Sequence, residues 1–151
     1  MRDEARPATI AVGACCAIFD AAGRVLLVHH GYGRRNWELP GGGSEPGESP
    51  DETARRELHE ETGLDATIER LTGVYYETEH ERGPFLHFVF RCRAPGDAVP
   101  TPNPPEIAEV GYWPIDDLPR PMSDFTERRI ADARSDGPPA VSRIEGRAWR
   151  S

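Results

Sequence analysis

Three glutamates, Glu57, Glu60 and Glu61, stand close together in the stretch RRELHEETG. In a helix, residues three or four positions apart lie on one face, so each like-charged pair costs roughly a few tenths of a kcal/mol. Solvent, a neighbouring arginine or a metal ion could offset this repulsion. Clustered carboxylates are the hard oxygen ligands that magnesium and manganese prefer, and a bound divalent ion would keep all three groups ionised. An isolated cluster of this kind is more often a solvated acidic face, so its surroundings decide.

Signals at both ends predict a helix over about residues 50–62. Ser49 is a good N-cap, and Pro50 suits the first helical position, where its missing N–H costs nothing. Glu52 lies three residues after Ser49 and completes a capping-box pattern. Gly63 suits the left-handed residue that ends a helix. The three glutamates therefore share one face of a well-delimited helix.

Strand-like segments flank this helix on both sides, which indicates an α plus β class with a mixed sheet. The predicted strands cover residues 9–19, 24–30, 36–40, 67–80, 84–93 and 106–115. A second helix over 123–134 begins after the N-cap Ser123. The proline-rich run at 94–105 predicts a surface loop. Just before the first helix, the glycines at 41–43 let the backbone come close to the carboxylates and turn a carbonyl towards the same ion.

The overall charge limits the class of partner. The chain has 151 residues and a formal net charge of −8 at pH 7. We expect no nucleic-acid polymer as partner, because proteins that bind one usually carry a basic patch. A small anionic substrate remains compatible if bound cations reverse the local field. All 18 basic residues are arginines, and the lack of lysine excludes a Schiff-base lysine, a phosphate-loop lysine and a kinase lysine.

The cysteines and the hydropathy pattern bear on the cellular compartment. Three cysteines without a Cys-x-x-Cys spacing argue against a disulfide framework or a zinc site. No apolar run is long enough to span a membrane, and the N-terminus has no signal-peptide pattern. We therefore expect a cytoplasmic protein without membrane contact. Its length fits one domain, which we place at 8–134, between a flexible N-terminus at 1–7 and a polar tail at 135–151 that is either disordered or lies on the surface.

The stretch around the acidic helix resembles the Nudix hydrolase signature, G-x5-E-x7-R-E-U-x-E-E-x-G-U, where U is a bulky aliphatic residue. Every specified position is filled at unbroken spacing, by Gly42, Glu48, Arg56, Glu57, Leu58, Glu60, Glu61, Gly63 and Leu64. So many fixed positions make a chance match very improbable. The order of the flanking strands and the late helix extends a weaker resemblance over roughly residues 8–134.

This resemblance implies a single-domain α/β/α sandwich around a mixed β-sheet. It also implies an enzyme that uses Mg²⁺ or Mn²⁺ to hydrolyse a nucleoside diphosphate linked to a moiety X. In that reaction water attacks phosphorus and the diphosphate bridge breaks. The expected partner is a small anionic nucleotide-type substrate. Many members of the family form dimers, so a homodimer is compatible with the resemblance.

The resemblance assigns roles to the signature residues one by one. It implies a ligand set that consists of Glu57, Glu60, Glu61 and the carbonyl of Gly41. Either Glu57 or Glu60 serves as general base, since family members differ here. Arg56 orients the glutamates. Glu48 pairs with Arg56, and the glycines Gly42 and Gly63 give structural support.

Some family members add a carboxylate from a later strand or loop. Glu106, at the start of EIAEVGYWPI, is the candidate here, and Glu109 competes with it. For each of them a surface position without function is about as probable.

Few residues indicate what the substrate is. Trp37, Tyr76 and Phe85 could stack on a base, although such aromatic side chains more often belong to the core or its rim. Alternation along FLHFVFRCR places His87 and Arg91 on the same strand face as Phe85, where they could line a pocket.

Two further hypotheses compete with that of an enzyme that hydrolyses small nucleotide-type substrates. One is a non-catalytic Nudix module that binds a nucleotide metabolite, for which an intact signature is unusual. The other is a pyrophosphohydrolase that acts on RNA 5′ ends, which the acidic charge and the lack of lysine disfavour.

Overall fold

The computed structural model describes residues 6–151. The expected flexible N-terminus, residues 1–7, lies outside the described residues except for its last two positions. The elements in chain order are β1 (Ala11–Ile18), β2 (Val25–His30), β3 (Trp37–Glu38), β4 (Gly41–Gly43), α1 (Pro50–Thr62), β5 (Thr67–Glu77), β6 (Phe85–Arg93), β7 (Ile107–Trp113), β8 (Met122–Ser123), α2 (Asp124–Arg134), β9 (Ala140–Ile144) and β10 (Trp149–Arg150).

A mixed five-stranded sheet in the order β4-β1-β6-β5-β9 forms the centre of the fold. Strand β1 runs parallel to β6, and β5 runs parallel to β9, while the pairs β1–β4 and β5–β6 are antiparallel. A second sheet has the order β3-β2-β7, and β8 pairs with β10. The mixed sheet agrees with the prediction.

The two helices cover opposite faces of the five-stranded sheet. Successive side chains of a strand point to opposite faces, and β1 shows this directly. Cys15 and Ala17 pack in a cluster with Phe125 of α2, whereas the neighbouring Cys16 packs in another cluster with Leu58 of α1. The predicted α/β/α sandwich is therefore confirmed.

Helix α1 begins and ends where its caps predict. The backbone N–H and the hydroxyl of Ser49 both donate to the Glu52 carboxylate, at 3.4 and 2.6 Å. At the other end Gly63 has φ 73° and donates its N–H to the carbonyl of His59 at 2.9 Å. These local contacts fix the register of the helix, and with it the direction in which the glutamates point.

The segment 135–151 forms two short strands rather than a disordered tail. Strand β9 adds an edge to the central sheet beside β5, and β10 pairs Trp149 with Ser123. The sequence pattern missed these strands because β9 buries only Ile144, while Val141 is exposed. Within the described residues, no helix is both long and apolar enough to cross a membrane.

Candidate active site

A cavity of about 520 Å³ is lined by the glycine strand β4 together with side chains of helices α1 and α2 and of strand β6. Its lining includes the acidic residues Glu38, Glu57, Glu61, Glu81 and Glu106, the basic residues Arg82, Arg129 and Arg147, and the aromatic residues Tyr32, Phe85, His87 and Phe88. Carboxylates from α1 and from the segment before β7 thus meet in one concave space with cations and aromatic rings.

Glu61 is the most deeply buried of the signature carboxylates, with 4% of its surface exposed. The backbone N–H of Gly41 donates to its Oε1 at 2.7 Å. Burial, with the negative charges of Glu57 and Glu106, raises the pKa of Glu61 to about 9 against the effect of this hydrogen bond. Burial also raises the pKa of Glu57. Carboxylates that are crowded and desolvated in this way hold their charge only beside a cation.

Arg56 ties the acidic residues of the signature together. Its Nε and Nη2 donate to both carboxylate oxygens of Glu48, at 2.7 and 3.0 Å. Its Nη1 donates to Glu57 at 3.0 Å and to Glu60 at 3.2 Å, and Nη2 also donates to the carbonyl of Gly43 at 3.0 Å. The hydrogen bonds from Arg56 lower the pKa of Glu48 to about 2. A planar guanidinium with its donors fixed on several sides can orient a carboxylate.

Gly42 makes room for Glu57. A Cβ atom at position 42 would lie 2.6 Å from the carboxylate carbon of Glu57, well inside van der Waals contact. A Cβ at Gly41 would lie 2.4 Å from the Cβ of Cys15 on the neighbouring strand. Only glycines let β4 pair with β1 and pass directly beneath the carboxylate, so the glycine run is required by close approach of the backbone.

The donor chemistry of the cavity fits a hard divalent cation. Glu57, Glu61 and Glu106 line one cavity, and a side chain at position 42 would collide with the Glu57 carboxylate there. Glu60 differs from these three glutamates. Its side chain is 53% exposed, is bonded to Arg56 and does not line the cavity. Within residues 6–151 no three His, Cys, Asp or Glu side chains are already gathered to hold an ion. The residues therefore supply suitable ligands rather than a closed cage.

A family model, the NUDIX domain, matches residues 9–133. The chain belongs to the NUDIX family. It is thus a hydrolase of a family that acts on phosphoanhydride bonds and generally uses a divalent metal ion. The resemblance of the segment Gly42–Leu64 to the Nudix signature agrees with this assignment.

Three similar proteins illustrate the range of the family. The chain is 34% identical over 125 residues to a MutT-like protein of Streptomyces ambofaciens, covering 83% of this chain and 77% of that protein. It is 32% identical over 111 residues to a nucleoside triphosphate pyrophosphatase/Nudix hydrolase fusion protein of Bifidobacterium longum, covering 72% of this chain but only 21% of the fusion protein. The crystal structure of a UDP-X diphosphatase is 28% identical, with a TM-score of 0.75, covering 93% of this chain and 70% of that one.

The later carboxylate of this Nudix chain is better placed at position 106 than at position 109. Glu106 lines the cavity, and its charge acts on both Glu57 and Glu61. Glu109 lies outside the cavity lining, is 64% exposed, and has its Oε1 3.8 Å from Nδ1 of His29. Glu106 therefore remains the candidate.

The five predicted substrate contacts separate into two groups. Phe85 and His87 line the cavity. Trp37, Tyr76 and Arg91 do not line it, which argues against contact with the substrate. Trp37 is buried in the core, where its ring stacks on His29 with a centroid distance of 4.5 Å. The guanidinium of Arg143 lies 5.9 Å from the ring of Tyr76, and Arg91 lies over the ring of Phe19.

Sequence reasoning missed several polar residues of the cavity. Arg129 is 4% exposed and donates to the Glu38 carboxylate at 2.8 Å. Its position four residues after Phe125 places it on the apolar face of α2, and a basic residue on such a face could have been noticed. Arg147 lies in the segment that we interpreted as a tail, where no local pattern points to a site.

Proposed function

We propose that this protein is a pyrophosphohydrolase that depends on Mg²⁺, or on Mn²⁺ in its place, and cleaves a nucleoside diphosphate linked to a moiety X. The observation that carries the proposal is the convergence of Glu57, Glu61 and Glu106 on one cavity beside the close-approach glycine Gly42. The similarity to a MutT-like protein and to a UDP-X diphosphatase supports a small nucleotide-type substrate. The three cysteines are buried and unpaired, which supports a reducing compartment such as the cytoplasm.

Each signature residue has a distinct task in this proposal. Glu57, Glu60, Glu61 and the carbonyl of Gly41 would hold the cation, with Glu106 as a further ligand. When bound there, Mg²⁺ would supply positive charge to the diphosphate oxygens and lower the pKa of the attacking water. Glu57 or Glu60 accepts the proton of that water, and the place of Glu57 in the cavity lining favours Glu57.

Arg56 and Glu48 prepare the carboxylates before substrate arrives. Arg56 is bound to Glu48, Glu57 and Glu60 at once, so the glutamates need little rearrangement when the substrate binds. Charges that are fixed in advance contribute more to catalysis than charges that must reorient during the reaction. This is the physical reason for an arginine, rather than a lysine, at position 56.

The test is hydrolysis of a defined panel in the presence of Mg²⁺. The panel contains common and oxidised nucleoside triphosphates, ADP-ribose, nucleotide sugars, dinucleotides, dinucleoside polyphosphates and a triphosphorylated RNA, with the products separated by chromatography. We expect one favoured small substrate that is cut at its diphosphate. Glu57→Gln, Glu60→Gln and Glu61→Gln should each lower the rate by about 100-fold or more, while the exposed Glu109→Gln leaves it unchanged.

The two competing hypotheses, a non-catalytic module and an RNA pyrophosphohydrolase, predict different results in this test. Tight binding of a panel member without cleavage would favour the non-catalytic module. Preference for the triphosphorylated RNA over free nucleotides would favour the RNA enzyme. Full activity in all three glutamine variants would refute the proposed site.

A further inference from the structure

The segment after residue 133, beyond the part that matches the family model, contributes a side chain to the cavity. Arg147 lines the cavity together with Phe85 and His87. Its backbone surroundings are fixed on both sides. Strand β9 precedes it, β10 follows it, and the neighbouring Ala148 exchanges two hydrogen bonds with Asp124, at 2.8 and 2.9 Å. Arg147 therefore reaches the cavity from anchored backbone.

The Arg147 guanidinium is held by two of its three nitrogens. Nε and Nη2 donate to the two carboxylate oxygens of Glu77, at 2.7 and 2.8 Å. Glu77 in turn is bonded to Nε2 of His87 at 2.8 Å, and the guanidinium lies 5.0 Å from the ring centroid of Phe125. We call Glu77, His87 and Arg147 the Glu77 network. Bidentate pairing leaves Nη1 as the one nitrogen of Arg147 without a hydrogen-bond partner among residues 6–151, and its two N–H groups have a fixed direction.

The charges around Nη1 balance. The carboxylate of Glu77 compensates Arg147, and that of Glu38 compensates Arg129 at 2.8 Å. His87 is neutral near pH 7, because burial lowers its pKa to about 4 against the hydrogen bond to Glu77. The exposed neighbours Glu81 and Arg82 also line the cavity and carry opposite charges. This side of the cavity therefore has no net charge that would attract another phosphate. A fixed N–H donor in a neutral setting suits a neutral acceptor such as a carbonyl oxygen.

The aromatic side chains that line the cavity with Arg147 indicate which kind of molecule carries this carbonyl oxygen. Phe85 and His87, on one face of β6, line the cavity with ring centroids 4.5 Å apart. Aromatic side chains of this kind stack on planar rings. A carbonyl on a planar heterocycle is what a nucleobase with an oxo group presents.

We propose that Arg147 is a specificity-determining residue that donates a hydrogen bond from Nη1 to a carbonyl oxygen of the substrate's nucleobase, with Glu77 as the residue that positions it. This inference rests on the proposed function, because it assumes that nucleotides enter the cavity. An amino group in place of the oxo group would bring two donors face to face and leave both unpaired. The enzyme should therefore favour oxo bases over amino bases.

The test compares nucleotide pairs that differ chiefly in this one group. Steady-state kinetics are measured with Mg²⁺ for ITP against ATP and for UTP against CTP. We expect kcat/KM of the wild type to be higher for the oxo member by about tenfold or more. Arg147→Met should bring both ratios to about one, and the change should appear in KM rather than in kcat, because a contact to the base binds ground state and transition state alike.

Two further variants make the result specific. Arg147→Lys keeps a positive charge beside Glu77 but lacks the planar fork, so it should lose the discrimination even where Arg147→Met is poorly folded by circular dichroism. Arg143→Met is the matched control from the same segment, since Arg143 is 65% exposed and pairs with Glu145. It should keep the ratios of the wild type.

The outcomes separate the two proposals. Equal kcat/KM for oxo and amino nucleotides in the wild type overturns the inference alone. A preference that survives in Arg147→Met and Arg147→Lys overturns it as well, and so does an equal loss for both members of a pair, which would mean that Arg147 contacts phosphate. If no nucleotide is cleaved by the wild type, the proposed function fails and the inference fails with it.

Discussion

Arg56 binds both carboxylate oxygens of Glu48, with Nε donating at 2.7 Å and Nη2 at 3.0 Å. The same guanidinium reaches the face of α1 that carries the glutamates through Nη1, which donates to Glu57 at 3.0 Å. Glu48 therefore sets the plane of Arg56, and Arg56 sets the position of Glu57. This order of contacts explains why an acidic residue before helix α1 belongs to a site whose carboxylates lie about two to three turns along that helix.

The first prediction concerns that arginine. Arg56→Lys keeps the charge but cannot bind Glu48 through two nitrogens and Glu57 through a third. We expect kcat to fall by about 10- to 100-fold, as for other losses of groups that orient metal ligands, while far-ultraviolet circular dichroism stays unchanged. The measurement is the steady-state rate on the best substrate of the panel. The neighbouring Arg55 is exposed, so Arg55→Lys is the control, and equal losses in both variants would show that the contacts of Arg56 are unimportant.

The second prediction concerns the glycine beneath the carboxylate. Gly42→Ala would place a methyl group 2.6 Å from the carboxylate carbon of Glu57, so this side chain must move away from its present position. Displacement of about 1 Å at a catalytic group can cost about 100-fold in rate, and we expect a loss of that order with little change in thermal stability. Gly96→Ala is the control, because a Cβ at Gly96 meets no atom within 4 Å. Activity that survives in Gly42→Ala would mean that the position of Glu57 is not critical.

The acidic helix could be predicted from sequence because its signals are local. Ser49, Glu52 and Gly63 delimit α1 through contacts within a few residues, and the structure has the helix at Pro50–Thr62 as predicted. Strand β4 could not be predicted in the same way. Its three glycines have little intrinsic tendency to form a strand, and they become one only because β1 offers partners for Gly41 to Gly43.

The Glu77 network escaped prediction for a similar reason. Glu77 and Arg147 lie 70 positions apart in the sequence, and nothing near either residue indicates that the two meet. Trp37 shows the opposite case, because the sequence indicated it as a substrate contact but the structure does not place it in the cavity lining. Trp37 has the right chemistry to stack on a base, but its burial against His29 and Trp113 depends on the pairing of β3, β2 and β7 in one sheet, which residue type alone does not reveal. Spacing within one helix can be read from sequence, whereas contacts across the fold require the structure.

The third prediction uses stability rather than activity to detect the cation. Addition of MgCl₂ should raise the midpoint of thermal unfolding, because an ion that binds the folded state alone stabilises it by mass action. Removal of the ion with EDTA should reverse the shift. Glu61→Gln should show a smaller shift, since Glu61 is a buried oxygen donor of the proposed site, whereas Glu109→Gln should respond like the wild type. NaCl at matched ionic strength controls for screening, and identical shifts in wild type and Glu61→Gln would argue against Glu61 as a ligand.

The fourth prediction is that His87 contributes a loss of stability as the pH falls from about 6.5 to about 4, while the raised pKa of Glu61 acts on stability in the opposite direction. Burial lowers the pKa of His87 from 6.5 to about 4, with Arg129 and Arg147 acting in the same direction and Glu77 opposing them. The unfolded chain then takes up a proton in this window while the folded chain does not, so the unfolded state is favoured as the pH falls. One such group contributes up to about 1.4 kcal/mol per pH unit to the slope of the free energy of unfolding against pH.

Glu77 extends the same trend to lower pH. Burial alone would raise its pKa, but the hydrogen bonds from His87 and Arg147 outweigh burial and hold the pKa well below 4.5. Its contribution to stability is therefore present above pH 4.5 and is lost as the pH falls below that value.

The measurement is the free energy of unfolding in urea at a series of pH values. In His87→Gln residue 87 cannot titrate, so the slope of stability against pH between about pH 6.5 and 4 should be less positive than in the wild type, while His59→Gln, at a side chain that is 62% exposed, should follow the wild type. Parallel slopes for wild type and His87→Gln would show that His87 does not carry the pH dependence.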